Sequence, residues 1–249
     1  MTKYSCKKSK IDQRDFKFHL KFNLRLDLPN QIDLRETTFV PPPLDQGDIG
    51  ACTANAASNA LRFCLKKERA IDFQPSRLYI YFFGRLLENS VESDSGCELR
   101  DILKAIHTYG ACSEELWPYD TSKFKDLPYS KCVRTGKEHI ANFSYLSVNQ
   151  NLLDIKNALY RGFPIIFGMY IYESFPIESE HVPMPNVSVD IVSGAHALMI
   201  IGCDDQTQTF IVQNSWGPDV GANGYFLIPY SYILEPELAF DFYTIVYFQ

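Results

Sequence analysis

Cys52 follows the run Gln46-Gly47-Asp48-Ile49-Gly50-Ala51 at the mouth of an alanine-rich stretch. Farther along come Ser193-Gly194-Ala195-His196-Ala197-Leu198 and Asn214-Ser215-Trp216-Gly217. A thiol, an imidazole and a carboxamide are the parts of nucleophilic acyl transfer. The sulfur attacks a carbonyl, the imidazole moves the proton, and the carboxamide oxygen holds the other ring nitrogen without adding negative charge. His196 and Asn214 stand 144 and 162 residues beyond Cys52, close to the wide separations known for one cysteine-nucleophile signature. Taken singly, each residue has a plainer reading, because a cysteine in an alanine-rich helix is usually core and an asparagine usually makes a turn. Their order and spacing carry the argument.

The surrounding pattern predicts the elements that must hold them. Ala56, Ala57, Ala60, Leu61 and Cys64 recur at helical spacing from Cys52 onward, with Arg62, Lys66, Lys67 and Arg69 on other faces, which predicts an amphipathic helix. Cys52 falls in its first turn, where unpaired amides and the helix dipole favour a thiolate. A second helix is predicted over 99–109, stopped by Gly110, and a third over 153–160, ended by Gly162. Strands are predicted over 163–172, 197–203, 209–213, 225–228 and 242–248. The first half is therefore mainly helical and the second mainly β, an α+β chain divided between Asp120 and Tyr145.

In order and spacing these residues, with Ser95-Gly96-Cys97 between them, resemble the papain-like, cathepsin-like cysteine peptidases from about Asp33 onward. The resemblance implies a two-lobed fold, with a helical N-terminal half, an antiparallel β-barrel-like C-terminal half and the active-site cleft between them. It divides the chain into an arm over 1–29, a nucleophile lobe over 30–135 and a lobe over 136–249. The implied activity is that of a thiol endopeptidase, a hydrolase working through a Cys52 thiolate paired with a His196 imidazolium and a covalent acyl-enzyme. Asn214 orients the imidazole, and Gln46, six residues ahead of the nucleophile, joins the Cys52 N–H in an oxyanion hole. Trp216 shields the histidine–asparagine bond, and Gly96, Cys97 and Ala195 line the extended substrate. A catalytically inactive binding scaffold and an acyl-transfer or peptide-ligase variant are the rival readings. His19, His107, His139 and His181 lack the Gly-Ala-His context.

Several positions depart from that family's pattern. Thr53 stands where a tryptophan is usual, Val220 where an aromatic often flanks the leaving-group side, and Cys97 where a second glycine is usual. The Cys97 side chain is expected to narrow the cleft or to offer an oxidisable thiol. Relatives in secreted compartments commonly staple the nucleophile loop to the glycine strand by a disulfide, and those two places hold Ile49 and Asp94. The local form Gln-Gly-x-x-Gly-x-Cys-Thr-Ala-Asn-Ala looks like a microbial and viral branch.

The 249 residues, 46% hydrophobic and 14% aromatic, suffice for one large domain or two packed halves. No stretch approaches the roughly 20 apolar residues of a membrane span, and the N-terminus lacks the apolar core of a secretory signal. Seven cysteines without a Cys-x-x-Cys pair argue against a structural zinc ribbon. No metal or cofactor is expected, and a reducing intracellular or virion compartment is favoured over secretion. Pairing of Cys112 with Cys132 is left open.

The net charge of −6 conceals a division, because residues 1–28 carry eight Lys or Arg against three Asp. A basic arm can bind nucleic acid, but this one has an acidic body to lie against, and docking of residues 1–28 on that body ranks first. From Phe16 to Leu28 apolar and polar residues alternate without a break. The alternation predicts a half-buried strand, roughly 40 Å long at about 3.3 Å per residue. It is placed either as an edge strand on the β half or as a pro-segment in or over the cleft of a zymogen.

Overall fold

The computed structural model describes residues 4–10, 12–138 and 143–247. His139 and Phe248, the final residue of the last predicted strand, lie outside them. The chain folds as α1 (Phe18–Lys21), β1 (Gln31–Asp33), α2 (Cys52–Arg69), α3 (Arg77–Leu87), α4 (Leu99–Tyr109), α5 (Ser130–Gly136), β2 (Phe143–Ser147), α6 (Leu152–Tyr160), β3 (Ile165–Tyr172), β4 (Val192–Asp204), β5 (Thr209–Gln213), β6 (Tyr225–Pro229), α7 (Tyr230–Ile233) and β7 (Ala239–Tyr247). It is an α+β fold of two lobes. The strands make one antiparallel sheet in the order β2-β7-β3-β4-β5-β6, with β1 added to β4.

The helix predicted at Cys52 forms, but it is not amphipathic along its length. Residues 52–61 are all buried, and only the last two turns show a wet face. α2 packs on β3, β4 and β7 on one side and on α3 and α4 on the other. Ala54, Ala56, Ala57, Ser58 and Ala60 let these elements approach closely, since interiors pack at crystal-like density and a helix enclosed on all sides has little room for large residues.

α4 and β5 occupy the predicted residues, and β3 and α6 begin within two residues of the predicted starts. β4 runs five residues farther toward the N-terminus than predicted and so includes His196, whose strand register is fixed opposite Met169 of β3. α3 was missed, although Ser76 caps it by accepting the Tyr79 N–H at 3.2 Å, a signal visible in the Pro75-Ser76 pair.

The alternating stretch does not make the predicted strand. It touches the sheet at one bridge, Lys17 to Ser147, and then turns into α1. Phe16 and Leu26 are largely exposed, at 72% and 87%, whereas Phe18 is fully buried. A period of two also places like residues at every fourth position, where a helical turn brings them together. Phe18 and Phe22 use that spacing, with rings 4.8 Å apart, and both pack on Phe163.

The loop between α3 and α4 carries Gly96 and Cys97, and a buried polar network ties it to the Cys52 loop. Asp94 Oδ1 accepts the Gly50 N–H at 2.8 Å and the Tyr81 hydroxyl at 2.5 Å, and the same hydroxyl accepts the Gly96 N–H at 3.1 Å. Asp94 thus links this loop to the Cys52 loop by hydrogen bonds, at one of the two places where the family resemblance sets a disulfide cysteine. The buried Arg85 guanidinium lies over the Tyr81 ring, 4.0 Å from its centroid, and donates to the carbonyls of Val91, Ser93 and Phe124. Replacing Asp94 with alanine orphans the Gly50 amide and the Tyr81 hydroxyl. Urea denaturation is expected to register a loss of about 2–4 kcal/mol for Asp94→Ala and a smaller loss for Asp94→Asn, which keeps an acceptor oxygen.

Candidate active site

Cys52 opens α2, and four backbone N–H groups favour its thiolate: those of Cys52 and Thr53 from the helix start, Ala197 from β4, and Ser5 from the N-terminal arm. The helix supplies the first two because its first-turn amides have no intrahelical acceptor. The third comes from the residue that follows His196. His196 is fully buried, and its Nε2 stands 2.8 Å from Asn214 Oδ1. Its Nδ1 is buried without a hydrogen bond. Asn214 lies just past the end of β5, with its own N–H held by the Gly224 carbonyl at 3.0 Å. The Trp216 indole stacks on the imidazole, with centroids 4.6 Å apart and planes 23° apart.

Gln46 is locked into the same junction. Its backbone N–H donates to the Ser215 carbonyl at 2.9 Å, its Oε1 accepts from Ser215 Oγ at 2.9 Å, and its Nε2 donates to the Ile49 carbonyl at 3.1 Å. The Tyr119 hydroxyl donates to its carbonyl at 2.9 Å. The loop before α2 and the block after β5 are therefore one hydrogen-bonded unit. The four residues singled out by type and spacing meet in one place.

So do the residues expected along the substrate, and a peptide already lies on them. The Cys6 N–H donates to the Ala195 carbonyl at 2.9 Å and the Lys7 N–H to the Cys97 carbonyl at 3.2 Å, with Lys7 in a parallel bridge to Glu98. Tyr4 packs edge-on against Trp216, with ring centroids 5.7 Å apart. The approach is so close that a Cβ at Gly96 would sit 1.8 Å from the Ser5 carbonyl oxygen, and one at Gly194 would sit 2.6 Å from the Tyr4 Cβ. Both glycines also hold positive φ, +68° and +152°, so they serve a backbone conformation as well as a close contact.

The Cys97 thiol does not narrow the cleft. It is fully buried and turned toward Gly84 of α3, so only its backbone faces the arm. All seven cysteines are free, Cys112 and Cys132 included, and the Cys132 thiol donates to the Leu116 carbonyl at 3.8 Å. His181 is largely exposed, and His19 and His107 lie elsewhere, against Asn149 and Phe143.

Burial dominates the electrostatics of this closed arrangement. It raises the Cys52 thiol above its usual range, against the pull of the four amides. It lowers His196 to about 4, offset only in part by the bond to Asn214. Both directions oppose the charged pair expected from the residue types, because a thiolate and an imidazolium both lose hydration in a dry junction.

The arm residues in the cleft had no distinguishing signal beyond their charge, and Asp94 could be noticed only as the residue at an unfilled cysteine position. Among the described residues no cluster of His, Cys, Asp and Glu could hold a metal ion, and no helix is long and apolar enough to cross a membrane.

Comparison with known proteins gives a consistent set of relatives. Residues 28–233 match the model of the papain family of cysteine proteases. An uncharacterized peptidase C1-like protein, L477, of Acanthamoeba polyphaga mimivirus is 38% identical, over 96% of this chain and 85% of that protein. Xylellain, a cysteine protease from Xylella fastidiosa, superposes with a TM-score of 0.87 at 32% identity, covering 99% of this chain and 96% of that structure. The fold is also shared with digestive procathepsin L2 of Tenebrio molitor larval midgut, with a TM-score of 0.76 at 19% identity, covering 100% of this chain and 78% of that structure. With the matched residues spanning both lobes and the junction between them, this chain belongs to the papain family of cysteine peptidases.

Proposed function

We propose that this hydrolase is an endopeptidase whose nucleophile is Cys52, and that the described form is its closed zymogen, held shut by arm residues 4–10. The organisation is an arm over 1–29, a lobe over 30–135 that carries the nucleophile, and a lobe over 136–249 that carries the base. One observation carries the reading. The arm's backbone pairs with Ala195 and Cys97 while Ser5 lies directly against Gly96, so an extended peptide can lie along this cleft and the arm now fills it.

In the open form, water reaches the junction and the cost of charging the pair falls. His196 Nδ1, which has no other partner in the described form, then takes the Cys52 proton. The thiolate attacks the substrate carbonyl, and the developing oxyanion is met by the Cys52 N–H and the second hydrogen on Gln46 Nε2. Each such donor is worth about 3 kcal/mol of transition-state stabilisation. His196 returns the proton to the leaving amine, and water resolves the acyl-enzyme by the reverse sequence. Asn214 keeps Nε2 engaged throughout, and Trp216 covers that bond.

The Asp12 and Asp15 carboxylates clamp the arm to Arg100 on α4, whereas Cys6 is nearly fully buried close to Glu88 and Asp241. Cys6→Asp adds a negative charge at that point and should eject the arm while leaving the catalytic residues in place.

Full-length reduced protein treated with a peptidyl epoxide is expected to label slowly at Cys52, as read by intact mass and peptide mapping. Cys6→Asp should label at least about tenfold faster, a change worth about 1.4 kcal/mol in the closing equilibrium. His196→Ala in the Cys6→Asp background should abolish labelling. Equal rates in the two chains would remove the arm as an inhibitor, and an unreactive Cys52 in Cys6→Asp would favour an inactive scaffold.

The closed form also predicts its own pH response. His196 binds a proton more weakly there, near 4, than at its ordinary 6.5, so falling pH across that interval stabilises the open form relative to the closed one. An NMR titration of His196 is expected to give a midpoint near 4 in the full-length chain and a higher midpoint in Cys6→Asp.

A further inference from the structure

Beyond Cys52, on the side of Gly96 and Cys97, the cleft is walled by carboxylates from two parts of the fold. Glu88 follows α3, Glu98 immediately precedes α4, and Asp241 lies in β7 with a left-handed φ of +60°. Glu98 lies within electrostatic reach of the other two, since Glu88 and Asp241 both raise its pKa, after burial and Asp101. Burial also raises Asp241.

The segment seated on this wall carries the complementary charge. Lys7 Nζ is 2.5 Å from Glu88 Oε2 and 3.5 Å from Ser95 Oγ. Lys8 Nζ lies 5.7 Å from the centroid of the Phe240 ring, next to Asp241, whose Oδ2 accepts the Ser9 N–H at 2.6 Å. Lys10 lowers the pKa of Glu98. The body supplies little compensation of its own. Arg85 donates to three loop carbonyls, and Arg100, which faces Asp241 at longer range, is held by Asp12 and Asp15, which lie beyond the cleft segment 4–10. When residues 4–10 leave the cleft with that clamp still in place, Lys7, Lys8 and Lys10 leave too, and a row of half-buried carboxylates lines the path of an entering peptide.

Resting on the endopeptidase reading above, we infer that Glu88 and Asp241 are specificity-determining residues, and that the cleft selects peptides with lysine or arginine two or three residues before the cleaved bond. A cationic side chain there replaces the lysines of the arm and relieves the repulsion among Glu88, Glu98 and Asp241. A neutral side chain leaves that repulsion unrelieved, and an acidic one adds to it. The arm and the preferred substrate are thus recognised by the same charges.

The test uses the full-length Cys6→Asp chain and two peptidyl epoxides that differ only in carrying lysine or norleucine at the second and third residues from the reactive carbon. Arm occupancy affects both probes equally and cancels in the ratio of their second-order labelling rates at Cys52. The lysine probe is expected to react about tenfold faster at low ionic strength, with the ratio falling toward one at high salt. Glu88→Gln keeps the acceptor for the Glu98 N–H, which Glu88 Oε1 now binds at 2.7 Å. Asp241→Asn suits the left-handed backbone, which asparagine tolerates. In the double variant the ratio of the two labelling rates should fall to about one, the loss of the lysine preference, whatever the absolute rates. A ratio near one in the parent, or a preference that survives the double variant, overturns the specificity assignment while leaving the peptidase intact. Failure of both probes to label Cys52 in the parent overturns the endopeptidase reading, and this inference with it.

Discussion

The enclosure of α2 between the sheet and the other helices sets the terms for the rest of the molecule. Ten successive residues from Cys52 to Leu61 are buried, so the helix start that carries the Cys52 sulfur is enclosed by protein. Polar groups brought there need partners, because an unpaired buried donor or acceptor costs more than a hydrogen bond returns. Arg77 reaches across to Asn55 and the Asp45 carbonyl while pairing with Glu114, and Asn59 reaches Gln213. Gln46 and Ser215 close the junction from the other side. This network gives the two lobes one relative position, and that position brings the Cys52 sulfur to the strand carrying His196.

A site built this way is sensitive to water. The helix-start amides favour a thiolate, and the Asn214 bond favours a protonated imidazole, but burial outweighs both while the arm is seated. In the proposed zymogen, covering the cleft does more than obstruct it, because removal of solvent also disfavours the charged forms of Cys52 and His196. The arm's basic segment meets carboxylates along one wall, and its Asp12 and Asp15 meet Arg100 farther on. With both signs engaged, the arm is held in one register, as charge complementarity commonly fixes orientation.

The loop that carries Gly96 and Cys97 illustrates how one mechanical requirement can be met by different chemistry. A link between that loop and the nucleophile loop keeps the cleft wall in place. Here it is a carboxylate bonded to an amide and a phenol, stabilised by a buried guanidinium over the ring. Such a link does not depend on redox conditions, and its members come from α3, from the loop itself and from the residues before α2.

The sequence by itself determined the family, the α+β order of elements and the candidate residues Cys52, His196, Asn214 and Gln46, because spacing, helix-start chemistry and strand alternation are local properties. Residues 99–109 and 209–213 form the predicted elements because their periodicity, stop signals and burial agree. The tertiary structure decided what local patterns leave degenerate. The alternation over 16–28 suits a strand but equally brings Phe18 and Phe22 together on a helical turn, and only the presence of Phe163 selects between them. Asp94 is an ordinary acidic residue until Tyr81 and Gly50 are brought to it, and Lys7 is an ordinary basic one until Glu88 is. The charge state of the Cys52 and His196 pair is likewise a property of solvent access, which arises from long-range packing and is set at neither residue alone.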